Sequence, residues 1–80
     1  MTESEWYAIK RMGEVKFRWG SMQFQYLPYS DRVILSYEPY KRMAREWTFD
    51  SSSEIDKDMR DRLRVLYDKY YERYHASQSI

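Results

Sequence analysis

The longest regular pattern in the sequence is a repeat of apolar residues that runs from about residue 53 to residue 75. These side chains recur every three or four positions: Ile55, Met59, Leu63, Leu66, Tyr70 and Tyr74. At roughly 100° per residue, this spacing places them on one stripe of an α-helix. Opposite charges stand four positions apart on the other faces: Asp58 and Arg62, Lys57 and Asp61, Arg64 and Asp68. A helix with one apolar stripe needs a second element to cover it.

Apolar and polar residues alternate between residues 14 and 37, which predicts a sheet with one buried face. Val15, Phe17 and Trp19 alternate with Lys16 and Arg18, and Met22, Phe24 and Tyr26 alternate with Gln23 and Gln25. Gly20-Ser21 suits a two-residue type II′ turn between these runs. Residues 32–37 predict a third antiparallel strand. We expect the rings of Phe17, Trp19 and Phe24 to lie beneath the C-terminal helix.

The N-terminal segment fits two structures. Thr2 and Glu5 have the spacing of a helix capping box, and Gly13 is suited to ending that helix. The same segment contains the good strand formers Trp6 and Tyr7, with a short loop at residues 12–14 as the alternative. We favour the helix.

The segment from residue 38 to residue 54 is predicted from local signals. Pro39 suits the first position of a short helix on which Tyr40, Met43 and Trp47 have helical spacing. A short edge strand at residues 47–50 is the alternative. Ser51 and Glu54 have the spacing of a capping box for the last helix.

These elements predict an α+β fold: a small antiparallel sheet of three to four strands packed against a long C-terminal helix, with one or two short helices. We expect one domain over residues 1–80, with residues 76–80 as a frayed tail.

The chain has 80 residues, no cysteine and a net charge of +1. A chain of this length forms one domain, and without cysteine it has neither disulfides nor thiolate metal ligands. No apolar stretch approaches the roughly 20 residues that cross a bilayer, and the first residues do not have the pattern of a signal peptide. We expect a cytoplasmic protein that does not bind membranes.

No residue pattern indicates catalysis. The single histidine, His75, lies at the end of the last helix, where it lacks partners for acid–base or metal chemistry. The acidic residues between 54 and 61 match the start of a helix, and serines 51–53 lack the context of a nucleophile. Gly13 and Gly20 stand alone, so neither belongs to a phosphate-binding loop. We expect no catalytic residues, no metal and no cofactor.

The nine tyrosines are the most unusual feature of the composition. Tyr67 and Tyr71 fall on the flank of the apolar stripe, where a half-exposed ring can serve as an interface hot spot. Burial over the sheet is the alternative use, and it is favoured for Tyr67. The predicted partner-binding site combines Tyr67, Tyr71 and Tyr74 with the basic residues Lys41, Arg42 and Arg45.

The sequence therefore favours a stoichiometric inhibitor or adaptor that binds a larger protein or a ribonucleoprotein. Small domains without motifs are typical of accessory proteins from phages and mobile elements, including inhibitors of host defence. The alternative is a nucleic-acid-binding regulator that uses basic residues on phosphates: Lys10, Arg11, Lys16, Arg18, Lys41, Arg42 and Arg45. The small net charge argues against this alternative. Homodimerisation through the tyrosines is a third hypothesis.

Overall fold

A computed structural model describes residues 1–40 and 43–74. In chain order the elements are α1 (Glu3–Glu14), β1 (Arg18–Trp19), β2 (Met22–Leu27), β3 (Arg32–Tyr40), β4 (Met43–Phe49) and α2 (Lys57–Tyr74). The strands form one antiparallel sheet in the order β1-β2-β3-β4. The predicted α+β class is confirmed. Lys41, Arg42, His75 and the predicted tail at 76–80 lie outside the described residues.

Helix α1 begins with the predicted capping box. The Thr2 hydroxyl accepts a hydrogen bond from the Glu5 backbone N–H at 3.1 Å, and the Glu5 carboxylate accepts one from the Thr2 N–H at 2.7 Å. Ile9 and Met12 point into the core. Because both ends of the capping motif are satisfied locally, the helix forms rather than the alternative strand.

Helix α1 ends at Glu14, which is later than the sequence predicts, and Gly13 does not terminate it. Lys16 adopts the left-handed conformation at φ +53°, so that its N–H bonds to the Gly13 carbonyl and the Phe17 N–H bonds to the Met12 carbonyl. This pair of bonds is a Schellman motif. Residues 15–17 therefore form the C-terminal cap of the helix and do not belong to the first strand.

The predicted hairpin forms, but its first strand has only two residues. Trp19 pairs with Met22 across Gly20-Ser21, and Gly20 has the positive φ of +60° that a type II′ turn requires at its first central position. The predicted alternation from residue 15 is wrong, because Val15 follows the helix directly. Phe17 is buried, whereas Val15 is 43% exposed and Trp19 is 42% exposed.

The predicted short helix after Pro39 is wrong. β3 continues through Pro39 to Tyr40, and β4 runs antiparallel to it from Met43. Pro39 is tolerated because it lies in an irregular stretch of the pairing, between Tyr37 and Tyr40, beyond the last residue that pairs with β2. The alternative of an edge strand is correct in kind, although the strand begins four residues earlier than expected.

Helix α2 starts at Lys57, and the capping box predicted at Ser51 and Glu54 is wrong. The Asp56 carboxylate accepts a hydrogen bond from the Met59 N–H at 2.7 Å and caps the helix instead. The preceding residues form their own turn, in which the Asp50 carboxylate accepts hydrogen bonds from Ser52, and these bonds lower the pKa of Asp50.

One face of the sheet forms the core with both helices. Its buried residues are Phe24, Val33, Leu35 and Phe49 from the strands, Ile9 and Met12 from α1, and Leu63, Leu66 and Tyr70 from α2. Phe17 joins them, with its ring edge-to-face against Tyr70 at 5.8 Å between centroids. The prediction that the hairpin rings are buried beneath α2 is thus correct for Phe17, which packs against Tyr70; Phe24 is buried in the same core, and Trp19 is exposed, contrary to the prediction.

The three charge pairs predicted along α2 do not form within the described part of the chain. The ion pairs observed there are Lys10 with Asp31, Arg60 with Glu5, and Lys69 with Glu72. Exposed pairs at i and i+4 contribute only a few tenths of a kcal/mol. Periodicity alone therefore does not determine which of them form.

Gly13 allows α1 to lie directly on β2. A Cβ atom at this position would be 2.9 Å from the Tyr26 backbone nitrogen and 3.0 Å from the Tyr26 Cβ. We expect Gly13→Ala to lower the free energy of unfolding by about 1 kcal/mol, because overpacking outweighs the better helix propensity of alanine.

Urea denaturation measures this effect. Ser4→Ala, on the exposed part of the same helix, is the control and should leave stability equal or slightly higher. A Gly13→Ala protein as stable as the wild type would show that α1 can move away from β2 without loss.

Candidate functional site

An apolar groove runs along the seam between α1 and α2. Its lining consists mainly of Ala8, Ile9 and Met12 on one side and Ile55, Leu63 and Tyr67 on the other, around a volume of about 200 Å³. A second hollow, of about 420 Å³, shares Ser4, Ala8 and Tyr67 with the first. Ser4 and Ala8 are small residues one helical turn apart, which leaves the space open. The two hollows together are called the tyrosine groove below.

The mouth of the tyrosine groove is bordered by Tyr7, Arg11 and Tyr71. Tyr7 is 58% exposed and Tyr71 is 52% exposed. The Arg11 guanidinium donates a hydrogen bond to the Tyr7 hydroxyl at 3.2 Å and lies over the Tyr7 ring at 5.1 Å. Hydrogen bonding to the Tyr7 hydroxyl, and also to that of Tyr70, raises the pKa of Arg11. Arg11 therefore holds the Tyr7 ring in place.

The tyrosines of α2 form one continuous set of ring contacts. Tyr67 contacts Tyr70 at 5.6 Å and Tyr71 at 6.4 Å, and Tyr70 contacts Tyr74 at 5.1 Å between centroids. Tyr70 is buried, Tyr67 is half-buried against the core, and Tyr71 and Tyr74 are exposed. The structure thus brings together the three tyrosines of the predicted site, with Tyr70 as the link between Tyr67 and Tyr74.

The basic residues of the predicted site lie elsewhere or outside the described residues. Arg45 is exposed on β4, where it pairs with Tyr37 of β3, and it lines neither hollow of the tyrosine groove. Lys41 and Arg42 belong to the part of the chain that is not described. The groove has its own arginines instead: Arg11 at the mouth, and Arg60 and Arg64 along α2.

Sequence reasoning missed Tyr7, and it named Arg11 only as a phosphate contact in the nucleic-acid alternative. A signal for them exists, because Arg11 follows Tyr7 by four residues on a helix, and side chains at i and i+4 are neighbours. Ser4 and Ala8 have the same spacing. The sequence does not show that α2 lies opposite these residues.

A second cluster of aromatic and basic residues surrounds Trp19. Lys69 and Arg73 of α2 lie over its ring at 5.4 and 5.5 Å, and Arg73 also donates a hydrogen bond to the Arg18 carbonyl at 2.9 Å. These contacts join the C-terminal end of α2 to β1. Because Phe17 is buried, Trp19 and its neighbours do not form a row of exposed rings along the hairpin.

At the other end of the groove, Glu5 connects the starts of the two helices. Its carboxylate accepts hydrogen bonds from the Thr2 N–H and from the Arg60 Nε. These two bonds, the one from Thr2 first, lower the pKa of Glu5 to about 2. The carboxylate therefore remains charged at neutral pH and fixes one wall of the groove.

Two further observations concern other kinds of site. Among residues 1–40 and 43–74, no group of three or more histidine, aspartate or glutamate side chains is placed to hold a metal ion. Neither α1 nor α2 has the length and apolar content that a bilayer crossing requires.

Comparison of the chain with known protein families, curated proteins and solved structures gave no match. Functional inference therefore depends on the geometry described above.

The charge on Glu5 should make stability depend on pH. The pKa of Glu5 is below its ordinary value in the folded state, so its contribution is complete above about pH 4.5 and is lost as the pH falls towards 2. Glu5→Gln keeps a side chain that can cap the helix but removes the charge. We expect the variant to be less stable than the wild type at pH 6, and the difference to shrink at pH 3.

Urea denaturation of both proteins at the two pH values measures the difference. Other carboxylates titrate in both proteins, so comparing the two isolates Glu5. A difference that is the same at pH 6 and pH 3 would contradict the assigned pKa.

Proposed function

We propose that this chain is a non-catalytic protein-binding module that docks on a larger protein through the tyrosine groove. The observation that carries the proposal is an apolar hollow with the exposed tyrosines Tyr7 and Tyr71 at its mouth, where Arg11 holds the Tyr7 ring. Tyrosine rings beside an apolar hollow supply large contact area at a small cost in conformational entropy. This combination is typical of interface hot spots.

The contacts around the tyrosines favour binding in a second way. Immobilising a flexible side chain at an interface costs about 0.5–1.5 kcal/mol. Tyr7 is already held by Arg11, and Tyr71 already contacts Tyr67. A partner would therefore meet rings that are largely ordered before it binds.

The mode of action that fits this surface is stoichiometric. A protein of 80 residues can alter a larger partner by occupying one of its surfaces, as an inhibitor, or by bridging it to another molecule, as an adaptor. We propose such a role in the cytoplasm, on a protein or a ribonucleoprotein, in the manner of accessory proteins from phages and mobile elements. Inhibition of a host defence complex belongs to this class.

Affinity capture from the native host, followed by mass spectrometry, tests the proposal. We expect Tyr71→Ala and Ala8→Leu each to reduce recovery of the specific partner at least tenfold, which corresponds to about 1.4 kcal/mol. The first removes a ring from the mouth of the groove, and the second fills the hollow. Tyr29→Ala is the matched control, because Tyr29 is fully exposed on the turn between β2 and β3.

Circular dichroism of each variant checks that α1 and α2 are retained. Recovery of the same partner in equal amounts by folded Tyr71→Ala and Ala8→Leu would contradict binding through the tyrosine groove. Analytical ultracentrifugation of the wild type tests the homodimer hypothesis, in which the partner is a second copy of the chain.

Nucleic-acid binding is the second candidate, and the Trp19 cluster is the observation that favours it. Lys69 and Arg73 accompany an exposed ring there, and Lys16 and Arg18 are nearby in sequence. Against it, Lys10 lies 3.9 Å from the Asp31 carboxylate and Arg11 is engaged with tyrosines.

A gel-shift experiment with single- and double-stranded DNA and RNA separates the two candidates. We expect no shift at physiological salt. If a shift occurs, its salt dependence should be measured. A plot of log affinity against log salt concentration with a slope of roughly −1 for each phosphate contacted would favour nucleic-acid binding over the groove.

A further inference from the structure

We infer that the partner segment that enters the tyrosine groove is acidic and amphipathic, with a row of apolar side chains and aspartate or glutamate on both sides of that row. This inference rests on the function proposed above and specifies the chemistry of the partner. It depends on two properties of the groove: the composition of its floor and the charge of its walls.

The floor of the groove is the protein core itself. Ile9, Met12 and Leu63 line it, and each belongs to the buried cluster that joins the helices to the sheet. A side chain that enters the groove therefore exchanges water for aliphatic groups, which favours leucine, isoleucine, methionine or phenylalanine. A polar or charged side chain would lose its hydration there without compensation.

The walls carry an excess of positive charge. Among the residues that the structure describes, three arginines line the two hollows, Arg11, Arg60 and Arg64, against one acidic residue, Glu5. Glu5 is neutralised by Arg60. Arg11 bonds to tyrosine hydroxyls, which do not neutralise it, and Arg64 forms no ion pair with any residue of the described segments.

Within residues 1–40 and 43–74, the guanidinium groups of Arg11 and Arg64 thus flank the groove without an ion pair to a carboxylate. Arginine forms paired hydrogen bonds to carboxylates that are stronger than those between neutral groups. Complementarity of charge therefore favours a partner that brings aspartate or glutamate to both sides of its apolar residues.

The shape of the groove suits a short segment of protein. It follows the seam of two helices, and a helix that docks in such a groove places apolar residues at intervals of three or four. The groove floor is formed by aliphatic side chains, which do not complement the charged phosphates of a nucleic-acid backbone. The occupant that fits the groove is therefore a peptide segment.

Selection from a random 12-residue peptide library displayed on phage tests the inference directly. The immobilised full chain is the target, and selected peptides are then measured by fluorescence anisotropy against the wild type, Arg64→Glu and Arg62→Glu. Arg62 is the matched control, because it is exposed on the same helix, undergoes the same change of charge and lines neither hollow.

We expect the selected peptides to share two apolar residues three or four positions apart, accompanied by aspartate or glutamate. Arg64→Glu should weaken their binding at least tenfold, and Arg62→Glu less than threefold, a difference of more than about 0.7 kcal/mol between the variants. Basic or uncharged consensus peptides, or equal losses in the two variants, would overturn the inference.

The result also separates this inference from the proposed function. Peptides that lose binding to Ala8→Leu and Tyr71→Ala but carry no acidic residues would leave the groove as a protein-binding site and remove only the acidic partner. Peptides whose binding is unaffected by Ala8→Leu and Tyr71→Ala would remove both.

Discussion

The contact between Gly13 and Tyr26 determines how the rest of the molecule is arranged. Because a hydrogen atom replaces a side chain at residue 13, the last turn of α1 rests directly on the backbone of β2. The Schellman motif at Lys16 then reverses the chain at once and delivers Phe17 into the core beneath Tyr70. With α1 fixed in this way, the side of the helix that carries Ser4 and Ala8 is left to face α2.

The tyrosine groove results from this arrangement. Ser4 and Ala8 are too small to fill the space between the helices, while Glu5 and Arg60 hold the two helix starts together. The helices are thus joined at their beginnings and remain apart at the middle, where Tyr67 and Tyr71 border the gap. A groove that results from small side chains needs no strained backbone and no metal, which suits a small domain.

Local signals in the sequence were sufficient for some elements and not for others. The capping pair Thr2 and Glu5 and the apolar stripe of α2 act within a few residues, so they predicted both helices. The angular position of Tyr71 placed it on the flank of the stripe and left both exposure and burial open. The short β1 and the strand through Pro39 depend on tertiary contacts: Lys16 adopts a conformation that favours glycine, and Pro39 lies where the pairing is irregular. The groove itself requires two helices to meet, which no spacing within one segment reveals.

Strand β4 lies at the edge of the sheet, so its outward backbone groups have no neighbouring strand among the described elements. Such an edge can recruit further chains and seed aggregation, and proteins commonly prevent this with exposed charges. Arg45 and Glu46 are adjacent and exposed at the middle of β4, and alternation along a strand directs them to opposite faces. A chain adding to this edge would have to accommodate a charge above the sheet and another below it, which disfavours strand pairing at β4.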